Sequence, residues 1–226
     1  MIDVSRAALL QQHNMDIISN NLANVNTTGF KADRPVFSEV LSREVRSVHS
    51  QGSINPTDNV LDVAIGGEGF FRVQTDKGIR LTRDGSFKML ANGTLVNSQG
   101  LKVLGAGGSP ITLNPLGGQV SIDPKGNITQ GTEQVGTLEV VDAADKKALL
   151  KEGANLFGTE DGKTPATTTA KDYTLTQGAV ETSNVDVVAE MVQMIASFRS
   201  FESFQKVMQT VQDIDSKAIN QVGRVA

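Results

Sequence analysis

With 226 residues, 38% of them hydrophobic, the chain can bury one large core or two ordinary ones, and its net charge of −4 contains no block of Lys or Arg. That balance argues against a nucleic-acid footprint or a polybasic membrane patch. Zero cysteines exclude disulfides, cysteine nucleophiles and thiolate metal sites, and with no Trp the core must rest on Val, Ile, Leu, Ala and nine Phe.

The first element reads as a helix. Val4, Ala8, Gln11, Met15, Ile18, Leu22 and Val25 follow at steps of three and four, the seam of a helix that packs on other helices, broken only by Gln11. Asn26, Thr27, Thr28 and Gly29 then favour turns or left-handed conformations, which predicts a helix end near Asn24. Nothing in the N-terminus has the basic flank, apolar run and small-residue cleavage site of a Sec-type signal, and no stretch approaches about 18 apolar residues, so neither such a signal nor membrane insertion is expected.

Lys31 to Asp58 carry mixed charge, Pro35, Pro56 and scattered apolar anchors, Phe37, Val40 and Leu41, without a long period. They read as an extended connector, entered through Gly29, Phe30 and Pro35. Beyond it the period becomes two: Leu61, Val63 and Ile65 alternate with Asp62 and Ala64, and Phe71 and Val73 with Arg72 and Gln74. Turn signals recur at Asp76-Lys77-Gly78, Asn92-Gly93, Gln99-Gly100, Pro124-Lys125-Gly126-Asn127 and Asp161-Gly162, with Asn92-Gly93 suited to a type I′ hairpin. An antiparallel sandwich or barrel-like β domain follows, in which the Gly-rich stretch 105–110 is a loop and the Thr-rich stretch 164–169 a mobile tip.

A second helix closes the chain. Thr182, Ser183 and Asn184 are N-cap candidates, with Asp186 in the first turn, where a carboxylate suits the helix dipole. Apolar positions run Val188, Met191, Val192, Ile195, Phe198, Phe201, Phe204, Met208, Val211, Ala218, Val222 and Val225, with no Pro and no Gly before Gly223. About 38 residues at about 1.5 Å each would reach about 57 Å. Phe198, Phe201 and Phe204 stand three apart, which rotates the stripe locally and predicts several neighbours rather than one continuous partner.

An isolated helix of this size is marginal in water, so the N-terminal helix must find partners, and the C-terminal helix is the obvious one. Two helices cannot cover stripes this broad, and further copies of the chain are expected to supply the missing surface. The asparagines bear on this. Asn20, Asn21, Asn24 and Asn26 carry amides that both donate and accept; they either fix register between copies or lie solvated at a fraying helix end.

The stretch NMDIISNNLANVNTTGFK resembles the N-terminal signature of the bacterial flagellar axial proteins, the rod and hook subunits. The segment from Gln51-Gly52 through Leu61-Asp62-Val63-Ala64-Ile65, with GEGFFRVQT and TRDGSF, is similar to that family's central β segment, and QGAVETSNVDVVAEMVQMI to its C-terminal signature. Within the family, VSIDPKGNITQGTEQVGTLEVVDAADKKALLKEGANLF resembles the proximal rod (FlgF-type) branch, with the distal rod (FlgG-type) branch as runner-up and a short hook-type axial subunit as a further alternative. The resemblance implies an α+β fold in which paired long N- and C-terminal helices form a coiled-coil inner domain flanking a central antiparallel β-rich domain. Expected boundaries are 1–30 for the N-terminal helix, 31–58 for the connector, 59–180 for the β-rich outer domain and 181–226 for the C-terminal helix. It further implies a self-assembling hollow shaft that carries torque and lines an export channel, reached through the flagellar type III apparatus without a cleaved signal. Subunit packing would use Met15, Ile18, Asn20, Asn21, Leu22, Asn24 and Val25 with Val188, Met191, Val192, Ile195, Phe198, Phe201, Phe204, Met208, Val211 and Val222. Partners would be copies of the chain and other rod and hook proteins, with peptidoglycan and the surrounding ring proteins as further candidates; no cofactor and no nucleic acid are implied.

Catalytic chemistry is not expected. His13 falls on the first helix and His49 in the connector, neither beside a recognisable triad. Asp123-Pro124-Lys125-Gly126 and Glu160-Asp161-Gly162 lack the alternating ligands of a calcium loop and read as turns, as does Gly66-Gly67-Glu68-Gly69, which is followed by a strand rather than a helix N-terminus. Without the resemblance, a secreted polysaccharide-acting enzyme or a β-rich adhesin would be the rival classes.

Overall fold

A computed structural model describes residues 2–36, 44–153, 155–159 and 162–222. The anchors Phe37, Val40 and Leu41 lie outside the described residues, as do Glu160, Asp161, Gly223 and Val225; for Val4, Ala218 and Val222 the helical backbone is described and the side chains are not. The chain forms two compact units, one of Met1–Ala23, Asp33–Val45 and Asp186–Ala226, the other of Asn24–Ala32 and Arg46–Val185.

The first unit holds both helices, α1 (Ile2–Ala23) and α2 (Val187–Val222, 36 residues), which pack against each other. No described helix is long and apolar enough to cross a membrane. The N-cap of α2 differs from expectation. Asp186 is the cap itself, its Oδ1 accepting from the N–H groups of Val188 (3.0 Å) and Ala189 (3.1 Å). Thr182 and Asn184 are drawn away, their side chains bonded to Ser53 and to Ala32, Val48 and Ser50.

The second unit is antiparallel β structure. Among the described residues its largest sheet has seven strands, in the order Leu150–Glu152, Leu156–Gly158, Gly78–Thr82, Phe71–Thr75, Lys102–Leu104, Leu95–Val96, Lys88–Met89. Val120–Ile122, Asn127–Gln130 and Glu133–Thr137 form a three-stranded sheet, and Tyr173–Gln177 pairs with Val63–Gly67. The segment read as a connector contains short strands, and one of them, Ile54–Pro56, pairs with Ala179–Glu181. The period-two residues Val63, Ile65, Phe71 and Val73 are fully buried in one core with Phe87, Leu95, Val103, Ile128, Leu138 and Leu175. Each such side chain contributes about 1.5 to 3 kcal/mol on burial. Phe70, Leu81, Val141, Leu149 and Phe157 make a second cluster.

Two local expectations change. At Asn92-Gly93 the N–H of Leu90 donates to Thr94 O and that of Gly93 to Leu90 O, so the loop runs from Ala91 to Gly93 with Gly93 at φ 83°. It is a three-residue hairpin rather than a type I′ turn: Asn92 Oδ1 takes the Thr94 N–H, closing the loop one residue later. In the Thr-rich stretch, Thr167–Thr169 form a strand against Val141–Ala143, as suits β-branched side chains.

The second unit includes Lys31, whose side chain is buried, whereas Lys163 is exposed in an irregular stretch. Trypsin acting on the native chain is therefore expected to cut after Lys163 well before Lys31. Mass spectrometry of the early fragments checks this, and early cleavage at Lys31–Ala32 would show that the segment 24–32 is not held.

Candidate assembly surfaces

The asparagine-rich end of α1 is used within the chain. Asn21 is fully buried; its Nδ2 donates to Asp33 O (2.9 Å) and its Oδ1 accepts from Asp33 N (2.8 Å), so the carboxamide pairs with the returning main chain as another peptide group would. Asn24 is half-buried and accepts from Thr27 Oγ1 at 3.1 Å, while Asn20 is exposed. Ile18 is buried, and Met15, Leu22 and Val25 are half-buried. Gly29 and Phe30 are buried and Pro35 half-buried, the last in the short strand Asp33–Val36.

Along α2 the single apolar stripe read from sequence divides into two rows. The covered row, half-buried except for the fully buried Glu190, is Val187, Glu190, Met194, Ser197, Phe201, Phe204, Met208 and Val211, spaced three and four apart. Glu190, fully buried, is met by Arg34 Nη1 at 3.1 Å. Val188, Met191, Val192, Ile195 and Phe198 stand outside this row and remain 48–72% exposed. The reason is angular: Val188, Met191, Ile195 and Phe198 each follow a covered residue by one position, about 100° around the helix. Val207 and Ile214 further along are exposed as well, so among the described residues seven large apolar side chains of α2 stand open.

In the β unit, three segments far apart in sequence meet at a buried ionic junction. Lys31 Nζ lies 2.6 Å from Glu181 Oε1 and 2.7 Å from Ser50 O, and Glu181 Oε1 also accepts from Gly52 N at 2.8 Å. Arg83 reaches Glu181 Oε2 at 3.5 Å, donates to Gly67 O at 2.6 Å and lies over the Phe70 ring. The neighbouring Asp84 accepts from Thr28 Oγ1, Ser98 Oγ, Ser86 N and Asn155 Nδ2. Lys31 and Arg83 share the Glu181 carboxylate, and the adjacent Asp84 is held by four neutral donors, so each buried charge is paired or hydrogen-bonded. Gly29 allows the approach: at φ 66°, a Cβ there would fall 2.3 Å from Asp84 N. Burial pushes the Lys31 and Arg83 pKa values down, against the pull of Glu181 on each. Sequence reading did not single out Arg83, Asp84 or Glu181 by role, their only signal being membership in the quoted motifs, and it gave Asn184 only as an N-cap candidate.

Elsewhere the polar groups stabilise turns. Asp123 Oδ1 accepts from Lys125 N and Asn127 N, and the Asn127 side chain is the first cause holding its carboxyl below the usual range. Among the described residues no group of three or more His, Asp and Glu is arranged to hold a metal ion. His49 lies edge-on to Phe70 (5.7 Å) and Phe157 (5.3 Å), with Nδ1 buried and unbonded. Burial first, then the Lys31 and Lys146 charges, push its pKa below 6.5. The unfolded chain therefore binds a proton that the folded one refuses, so stability falls as pH drops below about 6.5 and levels off below the folded pKa. Urea midpoints between pH 7.5 and 5 should show that slope, and His49→Phe should flatten it; an unchanged slope would remove His49 as its source.

Three family models match the chain. "Flagella basal body rod protein" covers residues 4–31, "Flagellar hook protein FlgE/F/G D1 domain" residues 64–130, and "Flagellar basal body rod FlgEFG protein C-terminal" residues 176–221. Among curated relatives, the flagellar basal-body rod protein FlgF of Caulobacter vibrioides is 34% identical over 99% of this chain and 97% of its own length. The rod protein FlgG of Buchnera aphidicola from Acyrthosiphon pisum is 35% identical over 80% of this chain and 84% of its own, and that of Bacillus subtilis 30% over 80% and 83%. The matched segments contain Asn21, Gly29 and Lys31, then Arg83 and Asp84, then Glu181, Asn184 and the exposed row of α2.

Proposed function

Because the chain belongs to the flagellar basal-body rod protein family, we propose that it acts as a structural subunit of the rod, stacking with copies of itself into a hollow helical shaft. The carrying observation is the row Val188, Met191, Val192, Ile195 and Phe198, large apolar side chains left open on a helix whose other row is already covered. In this reading α1 and α2 form a coiled-coil inner domain around an export channel, and the shaft transmits torque. Within the family, alignment to an FlgF over nearly the whole chain favours the proximal rod, since the matches to FlgG cover 80% of it. The distal rod remains the second reading. Neighbouring rod and hook proteins would complete the contacts, with peptidoglycan and ring proteins as outer neighbours, after export by the type III apparatus. Purified basal bodies carrying a tagged copy test this: cryo-imaging should place the tag in the rod, and a chain absent from basal bodies would reject the reading.

A further inference from the structure

The chain leaves the β unit after Ala32, returns at Arg46 and leaves again after Val185, so three of its crossings lie close to residues 31–32, 48–52 and 181–184. Those three segments are fastened to one another twice. The buried tier is Lys31 Nζ on Ser50 O and Glu181 Oε1, with Gly52 N on the same carboxylate. The outer tier is a single carboxamide: Asn184 Oδ1 accepts from Ala32 N at 2.7 Å, and Asn184 Nδ2 donates to Val48 O at 2.8 Å and to Ser50 O and Oγ at 3.0 Å. Ala32 and Val48 also bond directly, Val48 N to Ala32 O at 2.7 Å.

We propose that Asn184, above the Lys31–Glu181 pair, is the closing residue of a clasp that makes the three crossing strands of the β unit move as one. A capping role, its ordinary use this close to a helix, is not what it does, since Asp186 caps α2. The consequence rests on the rod reading: in a subunit under torque, force entering by one strand is shared with the other two. A strand held alone by one or two hydrogen bonds would instead peel away, because such bonds yield in sequence when loaded singly and together when clamped.

The test uses the full chain and Asn184→Ala, a half-exposed site at which the variant is expected to fold. Hydrogen exchange is read at Ala32, whose N–H bonds Asn184, and at Val48, whose N–H bonds Ala32 and not Asn184. Both amides should speed up together by roughly fivefold or more, the factor set by one lost hydrogen bond, while Val63 and Leu81 are unchanged. Acceleration confined to Ala32, or none, overturns the clasp. Asn184→Asp keeps the acceptor for Ala32 N but loses both donors, so Val48 should still accelerate; protection equal to the parent overturns the tie to Val48 and Ser50. In cells with Asn184→Ala as sole copy, rods should assemble and swimming speed should fall more steeply than the parent's as medium viscosity rises. Equal speeds would overturn force sharing with the rod reading intact, whereas absence of the parental chain from basal bodies would overturn the rod reading, the exchange result standing by itself.

Discussion

Glu181→Leu is expected to be the most damaging single substitution in the β unit, lowering its stability by about 3 to 5 kcal/mol, the cost of stranding buried charge. Glu181 is the one carboxylate facing both Lys31 and Arg83, and all three side chains are at most 4% exposed. Its removal takes from both buried cations the carboxylate they share, leaving Arg83 only the more distant charges of Asp142 and Glu68, and also frees Gly52 N, so several interactions are lost at once. Lys31→Met should cost less. It leaves Glu181 with Arg83 and the Gly52 N–H, and the Met stem fills most of the space that the lysine stem occupied. With no Trp in the chain, Tyr173 on its strand in this unit is the sole intrinsic reporter besides circular dichroism. Urea unfolding followed by both should rank the midpoints parent, Lys31→Met, Glu181→Leu. A Glu181→Leu protein as stable as Lys31→Met would mean that Arg83 draws nothing from the carboxylate. Total domain stability is about 5 to 15 kcal/mol, so the predicted loss is a large share of it.

How much of this was legible beforehand depends on sequence distance. The end of α1 at Ala23, the strands at Val63–Gly67 and Phe71–Thr75 and the turn before Gly78 follow from periods and turn residues within a dozen positions. The Lys31–Glu181 pair spans 150 residues and leaves no local pattern, because a charge reads the same in a sequence whether it ends in water or against a partner. The partner of Asn21 was illegible for a related reason. Four clustered asparagines suggested either register between copies or a solvated helix end, and nothing local announced that Asp33, twelve residues on, pairs with the Asn21 amide within the chain. The split of the α2 stripe was open to angular arithmetic; what the sequence lacked was which row the rest of the unit covers. Glu190 shows why polarity is a poor guide there, since it occupies the covered row while Ile195 and Phe198 do not.

That split governs the second large effect. Ile195→Asp should leave the isolated subunit folded, because Ile195 is 56% exposed and a carboxylate there meets water. In the proposed shaft the same position is covered by a neighbouring subunit, and a carboxylate buried without a partner costs several kcal/mol at every copy. A penalty of that size per interface exceeds what a stack of weakly held subunits can absorb, so incorporation should be lost and with it motility. Phe201→Asp is the contrast, since Phe201 belongs to the row already covered within the chain and its replacement should loosen α2 in the subunit itself. Circular dichroism of the purified chains separates the two cases, with helix content kept for Ile195→Asp and reduced for Phe201→Asp. The cellular readout is subunit outside the cytoplasm but missing from basal bodies for Ile195→Asp. Cells that swim normally with Ile195→Asp as sole copy would show that the row from Val188 to Phe198 stays open in the assembled rod, and the packing surface would then have to lie elsewhere on the chain.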